Sequence, residues 1–279
     1  MPERTLQIVG MVQLQALPGS ARYTGEPLTA IIDAALAEAQ LLSDSGFTGV
    51  QVQNMGDNPA SRHAGPETVA FMSVVCREVR RALPALQLSV LVNWDAEASI
   101  AVASAAGADF VRVEHTWVGA AVTTWGLSTA QCHQATSFRS RIRSAVPIYV
   151  DVVEPHAVPL VHRPVEEWAR AAVLEGAADG LFVTGATLPE SLDWIRRVRA
   201  ALPDVPLWLG GGACVDAAPD VVALVDGVTV ATSLKHGDMS NPVDPQLASG
   251  FAAAYRRAHL GHLAQLAQLG HPRARPSRR

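Results

Sequence analysis

Ionisable and amide side chains recur along this chain, each just past a short apolar run. Asp151 is followed five residues later by His156. A carboxylate and an imidazole are the usual proton movers near neutral pH, so these two form a candidate acid–base pair. Glu114 and His115 offer a second carboxylate and imidazole. Neighbours on a strand face opposite ways, so one of the two points inward, and Glu114 is the expected one. Gln13, Asn54 with Asp57, and Asn93 are candidates for holding substrate hydroxyls. The run Gln53-Asn-Met-Gly-Asp-Asn58 also reads as an Asx-rich turn, and Asp95 reads better as a helix N-cap than as a catalytic group.

Two glycine- and hydroxyl-bearing segments suggest an anion. Gly210, Gly211 and Gly212 follow one apolar run, and Thr232 and Ser233 follow the next. Glycines let backbone N–H groups approach an anion closely, and a helix starting at 214 would add partial positive charge. Thr184, at the end of the preceding run, joins them as a substrate-binding candidate. Lys235, the single lysine among 22 basic residues, either helps neutralise that anion or lies on the surface. It falls past the strand end, where a Schiff-base lysine would be poorly placed. Asp57, Asp95, Glu114, Asp151 and His156 are hard donors that would suit Mg2+ or Mn2+; no cofactor is specified beyond that. The chain carries no H-E-x-x-H, no P-loop, no dinucleotide fingerprint and no G-x-S-x-G.

These residues need elements to position them. Strands are expected near Leu6–Val12, Thr48–Gln53, Leu86–Val92, Phe110–Glu114, Ile148–Val153, Gly180–Thr184, Pro206–Leu209 and Gly227–Ala231. Helices are expected over 28–45, 66–83, 95–106, 128–144, 165–176, 188–202, 214–224 and 244–258. Continuous apolar strands such as Leu181-Phe-Val183 suit a parallel sheet covered on both faces. Eight strand–helix units favour a single (β/α)8 TIM barrel of the phosphate-binding type over an open doubly wound sheet. In such a barrel the strand C-terminal ends carry the chemistry, and the loops after the last two strands carry the phosphate. The barrel is expected over 1–262, with a helix end and basic, solvated tail over 263–279.

Composition narrows the class. The chain has 279 residues, 49% apolar and 17% charged, enough for a sizeable core and too apolar for disorder. A net charge of -4 gives no reason to expect nucleic acid. No apolar run is long enough for membrane insertion, and no signal-peptide pattern opens the chain. Cys76, Cys132 and Cys214 are too dispersed for a disulfide or thiolate-metal framework, which fits a cytoplasmic protein. A homo-oligomer is the default for its class.

Several segments together resemble the BtpA family, which includes the SgcQ-like proteins. They are Gly10-Met-Val-Gln-Leu-Gln-Ala-Leu-Pro-Gly-Ser20, Gln53-Asn-Met-Gly-Asp57, Gly65-Pro-Glu-Thr68, Val90-Leu-Val-Asn-Trp-Asp95, Ala108-Asp-Phe-Val-Arg112, Val183-Thr-Gly185, Ala231-Thr-Ser-Leu-Lys235 and Asn241-Pro-Val-Asp244. The resemblance runs from Ile8 to about Ala258 and implies a phosphate-binding TIM barrel. The family takes its name from a role in photosystem I biogenesis in cyanobacteria. This chain departs from the family pattern at Gln13, Gln53, Thr124 and Val153, where neutral residues stand in ionisable positions.

Two expectations follow. The first is an enzyme acting on a small phosphorylated metabolite, by cleavage or transfer at an N-glycosidic bond of a sugar phosphate or nucleotide. Isomerisation or a metal-assisted lyase step is the alternative chemistry. The second is a non-catalytic assembly or stability factor. The neutral replacements favour the second; the polar strand ends and the glycine loop favour the first.

Overall fold

A computed structural model describes residues 5–153 and 156–270. Eight parallel strands close into a barrel: β1 (Gln7–Gln13), β2 (Gly49–Gln53), β3 (Gln87–Leu91), β4 (Phe110–Val113), β7 (Ile148–Asp151), β9 (Gly180–Val183), β10 (Leu207–Leu209) and β11 (Gly227–Val230). Around the barrel they run β1-β11-β10-β9-β7-β4-β3-β2, so β1 lies opposite β7, and β10 opposite β3. Helices α1 (Leu28–Asp44), α2 (Pro66–Ala82), α3 (Ala96–Ala106), α4 (Cys132–Arg141), α5 (Val165–Arg170), α6 (Leu188–Ala201), α7 (Ala218–Val222) and α8 (Pro245–Gly270) connect or follow the strands. The expected TIM barrel is the observed fold.

Alternation along the strands creates two cores. One set of side chains packs outward under the helices, as Ile8, Val50, Leu88, Val111, Ile148 and Leu181 do. The other fills the barrel: Val9, Phe110, Phe182 and Trp208, with Tyr149 against them. Rings this large need space from their neighbours. A Cβ at Gly180 would stand 2.7 Å from the Tyr149 ring, and one at Gly227 2.6 Å from the Trp208 ring.

The N-terminal end of the barrel is sealed by a repeated device. Asp109, Asp179 and Asp226 each precede a strand, and each accepts the N–H of the first or second residue of the neighbouring strand: Leu88 at 2.7 Å, Ile148 at 2.8 Å and Leu207 at 2.8 Å. Each carboxylate also holds an arginine from a helix: Arg80, Arg139 and Arg199 respectively.

Three departures from expectation matter. The region after β4 carries a hairpin, β5 (Ala120–Thr123) and β6 (Gly126–Thr129), which β8 (Ala157–Pro159) joins as an antiparallel sheet ordered β6-β5-β8. Residues expected to begin a helix at 128 therefore belong to β6, and α4 starts at Cys132. The helix expected over 214–224 is only a 3-10 turn (Val215–Ala217) followed by the five residues of α7. The final helix runs past 258 to Gly270, so the first part of the segment expected over 263–279 is helix, and its residues 271–279 lie outside the described residues.

Candidate functional site

The centre of the barrel mouth is an ion pair. Arg112 on β4 and Asp151 at the end of the adjacent β7 face inward, and Arg112 grips the carboxylate with two bonds, Nε–Oδ2 and Nη2–Oδ1, each 2.8 Å. The Asp151 side chain is fully buried. Burial pushes its carboxyl up to about 6, against the opposing pull of Arg112; the nearby Glu114 charge adds to the rise. Glu114 lies two residues beyond Arg112, on the same face by alternation, with Oε1 4.0 Å from Arg112 Nη2. Unlike Asp151 it keeps part of its side chain in solvent. The expected Asp151–His156 pairing gives way to this arrangement: both Asp151 oxygens are taken by Arg112, and His156 is exposed just before β8.

His115 is the buried member of the Glu114–His115 dipeptide. Its ring stacks on Trp94 at 3.8 Å between centroids. Burial, with His156 and Arg112 also opposing protonation, brings its pKa down to about 4, so it is neutral at pH 7.

The glycine run meets this centre from the other side. A Cβ at Gly210 would stand 2.6 Å from Thr184 Oγ1 and 3.0 Å from Arg112 Nη2, so only glycine allows this approach. The Gly210 carbonyl accepts from Thr229 Oγ1 at 2.9 Å. Thr184 Oγ1 is buried without a hydrogen-bond partner among the described residues. Gly212 needs its glycine for a φ of 74°, whereas a Cβ at Gly211 would meet only the Thr184 methyl at an ordinary 3.5 Å. The loops after β10 and β11 are adjacent, tied by Ser233 Oγ donating to the Ala213 carbonyl at 3.3 Å. Thr232 and Ser233 are exposed there. With α7 so short, an anion here would rely on loop N–H groups rather than on a helix end.

Several candidates have scaffolding tasks instead. Asn54 Nδ2 donates to Asp57 Oδ2 at 2.9 Å, and its Oδ1 accepts the Asn93 N–H at 2.8 Å. Asp57 Oδ1 accepts the Leu17 N–H at 2.8 Å, pinning the loop after β1 to the loop after β2. Burial raises the Asp57 carboxyl, and these bonds oppose the rise. Asn93 accepts from Gln53 at 2.8 Å and donates to Asn58 at 3.2 Å. These amides therefore hold the loops rather than stand free for hydroxyls. Asp95 is the N-cap of α3, accepting from Ala98 N at 2.9 Å. Among the described residues no three His, Cys, Asp or Glu side chains gather as a metal site.

Lys235 is neither on the surface nor turned to the glycine loop. It is buried, 3.0 Å from Glu38 of α1, and donates to Gln13 Oε1 at 3.4 Å. Gln13 thus faces a cleft of about 690 Å³ beside α1, across the barrel from Asp151.

The BtpA family model matches residues 4–257. The chain belongs to the BtpA family. It is 32% identical over 252 residues to the photosystem I biogenesis protein BtpA of Synechocystis sp., covering 88% of this chain and 87% of that protein. It is 34% identical over 241 residues to an uncharacterised protein of Thermococcus kodakarensis, covering 85% and 90%. Among solved structures, the tryptophan synthase alpha chain of Legionella pneumophila superposes with a TM-score of 0.56 over 92% of this chain and 93% of that one, at 12% identity. That likeness concerns the fold alone. Among the described residues of this BtpA-family chain, no helix is long and apolar enough to cross a membrane.

Two parts of the site escaped sequence reasoning. Arg112 lies in Phe110-Val-Arg-Val113, and its alternation with the barrel-filling Phe110 was the available signal for an inward charge. Trp94 follows Asn93 directly and adopts φ 69°, which nothing in the local sequence announces.

Proposed function

We propose that this chain is an enzyme acting on a small phosphorylated metabolite at the barrel mouth, by cleavage or transfer at an N-glycosidic bond. The observation that carries the proposal is the convergence of Arg112, Asp151 and Glu114, with Arg112 Nη2 2.8 Å from one carboxylate and 4.0 Å from the other. Buried charges in a fixed geometry at the catalytic end of a barrel are costly to keep for stability alone. Glu114 has the exposure to meet a substrate and takes the proton-moving role. Asp151 lies beneath and positions Arg112, whose guanidinium stands 4.0 Å from Glu114. His156 lies exposed just before β8.

The phosphate would rest on the loops after β10 and β11. Among the described residues the N–H groups of Gly211 and Gly212 donate to no protein acceptor, and Thr184 Oγ1 is unpartnered beside them. Thr232 and Ser233 complete the rim of that cradle. Binding energy from the phosphate would then position the reacting end over Glu114.

The test is a thermal-shift titration with ribose 5-phosphate on the native protein and on Gly211→Asp, which the open space at that position tolerates. Stabilisation in the native protein that disappears in the variant supports the cradle. Equal shifts in both, or none in either, overturn it. Glu114→Gln should bind the same ligand yet lose turnover by about 10²-fold or more.

A second reading, a factor that binds a partner protein, draws on one feature. Leu127, Val122 and Val158 pair across the small sheet in a single exposed apolar row. The name of the Synechocystis relative agrees with it. Val158→Glu would abolish partner capture under this reading and leave ligand stabilisation untouched.

A further inference from the structure

A second feature of the mouth has no task in the chemistry above. Trp94, at the end of the loop after β3, holds φ 69°, a region that a bulky side chain enters only under strain. Its indole is more than nine-tenths buried, and its Nε1–H has no acceptor among the described residues. A buried donor without an acceptor costs on the order of a lost hydrogen bond, so the fold maintains two unfavourable features at one residue. One face of the indole is covered by the His115 ring, at 3.8 Å and nearly parallel. The other neighbour is Trp125, edge-on at 4.8 Å.

Trp125 sits in the two-residue turn between β5 and β6 and is half exposed. Its ring makes edge contacts with Trp94 and His115. Beside these rings lies a cavity of about 160 Å³, lined by Trp94, Trp125, Ser128, Gln134 and the Asp95–Glu97 turn. Cavities of about 150 Å³ accept a single aromatic ring. The Gln134 side chain makes no hydrogen bond to another described residue, so an amide is available at the cavity wall.

Position adds the remaining argument. The cavity belongs to the β3 and β4 loops, while the glycine loop follows β10, on the opposite side of the barrel. Arg112 stands on β4 and Glu114 just beyond it, and β4 neighbours β3 in the barrel wall. A ligand with a phosphate at one end and a planar ring at the other would span the mouth with its middle over Glu114.

We propose that Trp94, Trp125 and the cavity beside them seat a planar heteroaromatic ring, the group attached to the sugar of the phosphorylated substrate. The ring would lie against Trp94, and Trp125 would shift from the edge of Trp94 to close over it. This rests on the phosphate reading and names its substrate class: nucleoside monophosphates rather than simple sugar phosphates.

The experiment compares dissociation constants of the four common nucleoside 5′-monophosphates, their free bases and ribose 5-phosphate, followed by tryptophan fluorescence and by melting temperature. It uses the native protein, Trp125→Ala and Trp125→Phe. At least one nucleotide should bind about tenfold or more tighter than ribose 5-phosphate, the range expected for one stacked base. Trp125→Ala should remove that preference without weakening ribose 5-phosphate binding, and Trp125→Phe should restore most of it. If no nucleotide is preferred, or Trp125→Ala keeps the preference, the ring seat is overturned, while a shift with ribose 5-phosphate keeps the phosphate reading. If a free base binds in a Trp125-dependent way and ribose 5-phosphate does not bind, the ring seat stands and the phosphate reading falls. Because Trp125 is half exposed, its variants should fold, and their unliganded melting temperatures verify this.

Discussion

The two ends of this barrel use the same pair of residues for different ends. At the N-terminal rim, arginine meets aspartate three times, and each aspartate also accepts a strand N–H. Asp109 and Asp179 there keep 45% and 43% of their side chains exposed. At the mouth, arginine meets aspartate once, bidentately, with the Asp151 side chain wholly buried. The Asp109 and Asp179 pairs tie strand ends to helices close to solvent and cost little to form, whereas Asp226 keeps only 15% of its side chain exposed. The mouth pair is desolvated, so each charge depends on the other. The lesson is that residue identity and pairing do not decide the role; burial and the remaining hydrogen-bond partners do.

The largest expected effect breaks the mouth pair. Arg112→Met leaves the Asp151 carboxylate buried and unpaired, and should lose roughly 3–5 kcal/mol in urea unfolding at pH 8. The loss should shrink as pH falls from 8 towards about 6, because without Arg112 the Asp151 carboxyl is pushed up further and takes up its proton before the native one does. A loss below about 1 kcal/mol at both pH values would erase the contrast between the two ends.

Next comes the pH dependence beside that pair. His115 is held neutral, with its pKa lowered from 6.5 to about 4. The unfolded chain therefore binds the proton first, so its stabilisation is present above pH 6.5 and is lost as pH falls towards 4. The loss is on the order of 2–3 kcal/mol. Asp151 runs the other way: its raised pKa gives stability that is full below 3.8 and lost as pH rises through about 6. The two partly cancel in the native protein. His115→Phe keeps the stack on Trp94 and removes only the first, so it should gain on the native protein as pH falls from 7 to 4.5. Parallel stability curves for the two proteins would count against a buried neutral imidazole.

At the rim the effects should be smaller. Asp226→Ala removes the partner of Arg199 and the acceptor for Leu207 N–H, and should lose about 1–3 kcal/mol. Arg199→Ala alone should lose about 1–3 kcal/mol, because the guanidinium also donates to the Pro203, Val205 and Leu224 carbonyls, with weak dependence on pH between 5 and 8. The smallest change sharpens the mouth. Thr184→Val replaces a buried hydroxyl that has no partner among the described residues with a methyl, and should leave melting unchanged or raise stability by up to about 1 kcal/mol. Under the phosphate proposal the same variant binds ribose 5-phosphate more weakly, a trade of stability for function at one atom.

Much of the fold was legible because its signals are local. Each barrel strand is a short β-branched or aromatic run, and turns such as Asp44-Ser-Gly46 stop the helices before them. The hairpin at Ala120–Thr129 was not legible. Its strands are four residues each, too short for a period to register, and its turn carries Thr124 and Trp125 rather than the usual Asn-Gly. The candidate site was legible in part. The residues past the strand ends sit at the C-terminal end of the barrel, but Asn54, Asp57 and Asn93 are occupied with each other and with backbone. Sequence position tells that an amide is near the mouth and not whether its hydrogen bonds are already made.

The sequence by itself determined the barrel, the end of it that carries the polar residues, and the family. Those follow from periodicity, strand count and motifs, which are read within a few tens of residues. Only the tertiary structure decided that Arg112 and Asp151, 39 residues apart, close on each other, that Lys235 turns to Glu38, and that Trp94 stacks on His115. Those pairings depend on which strands become neighbours when the sheet closes, and on how much water closure removes. Neither quantity is carried by any single segment of the chain.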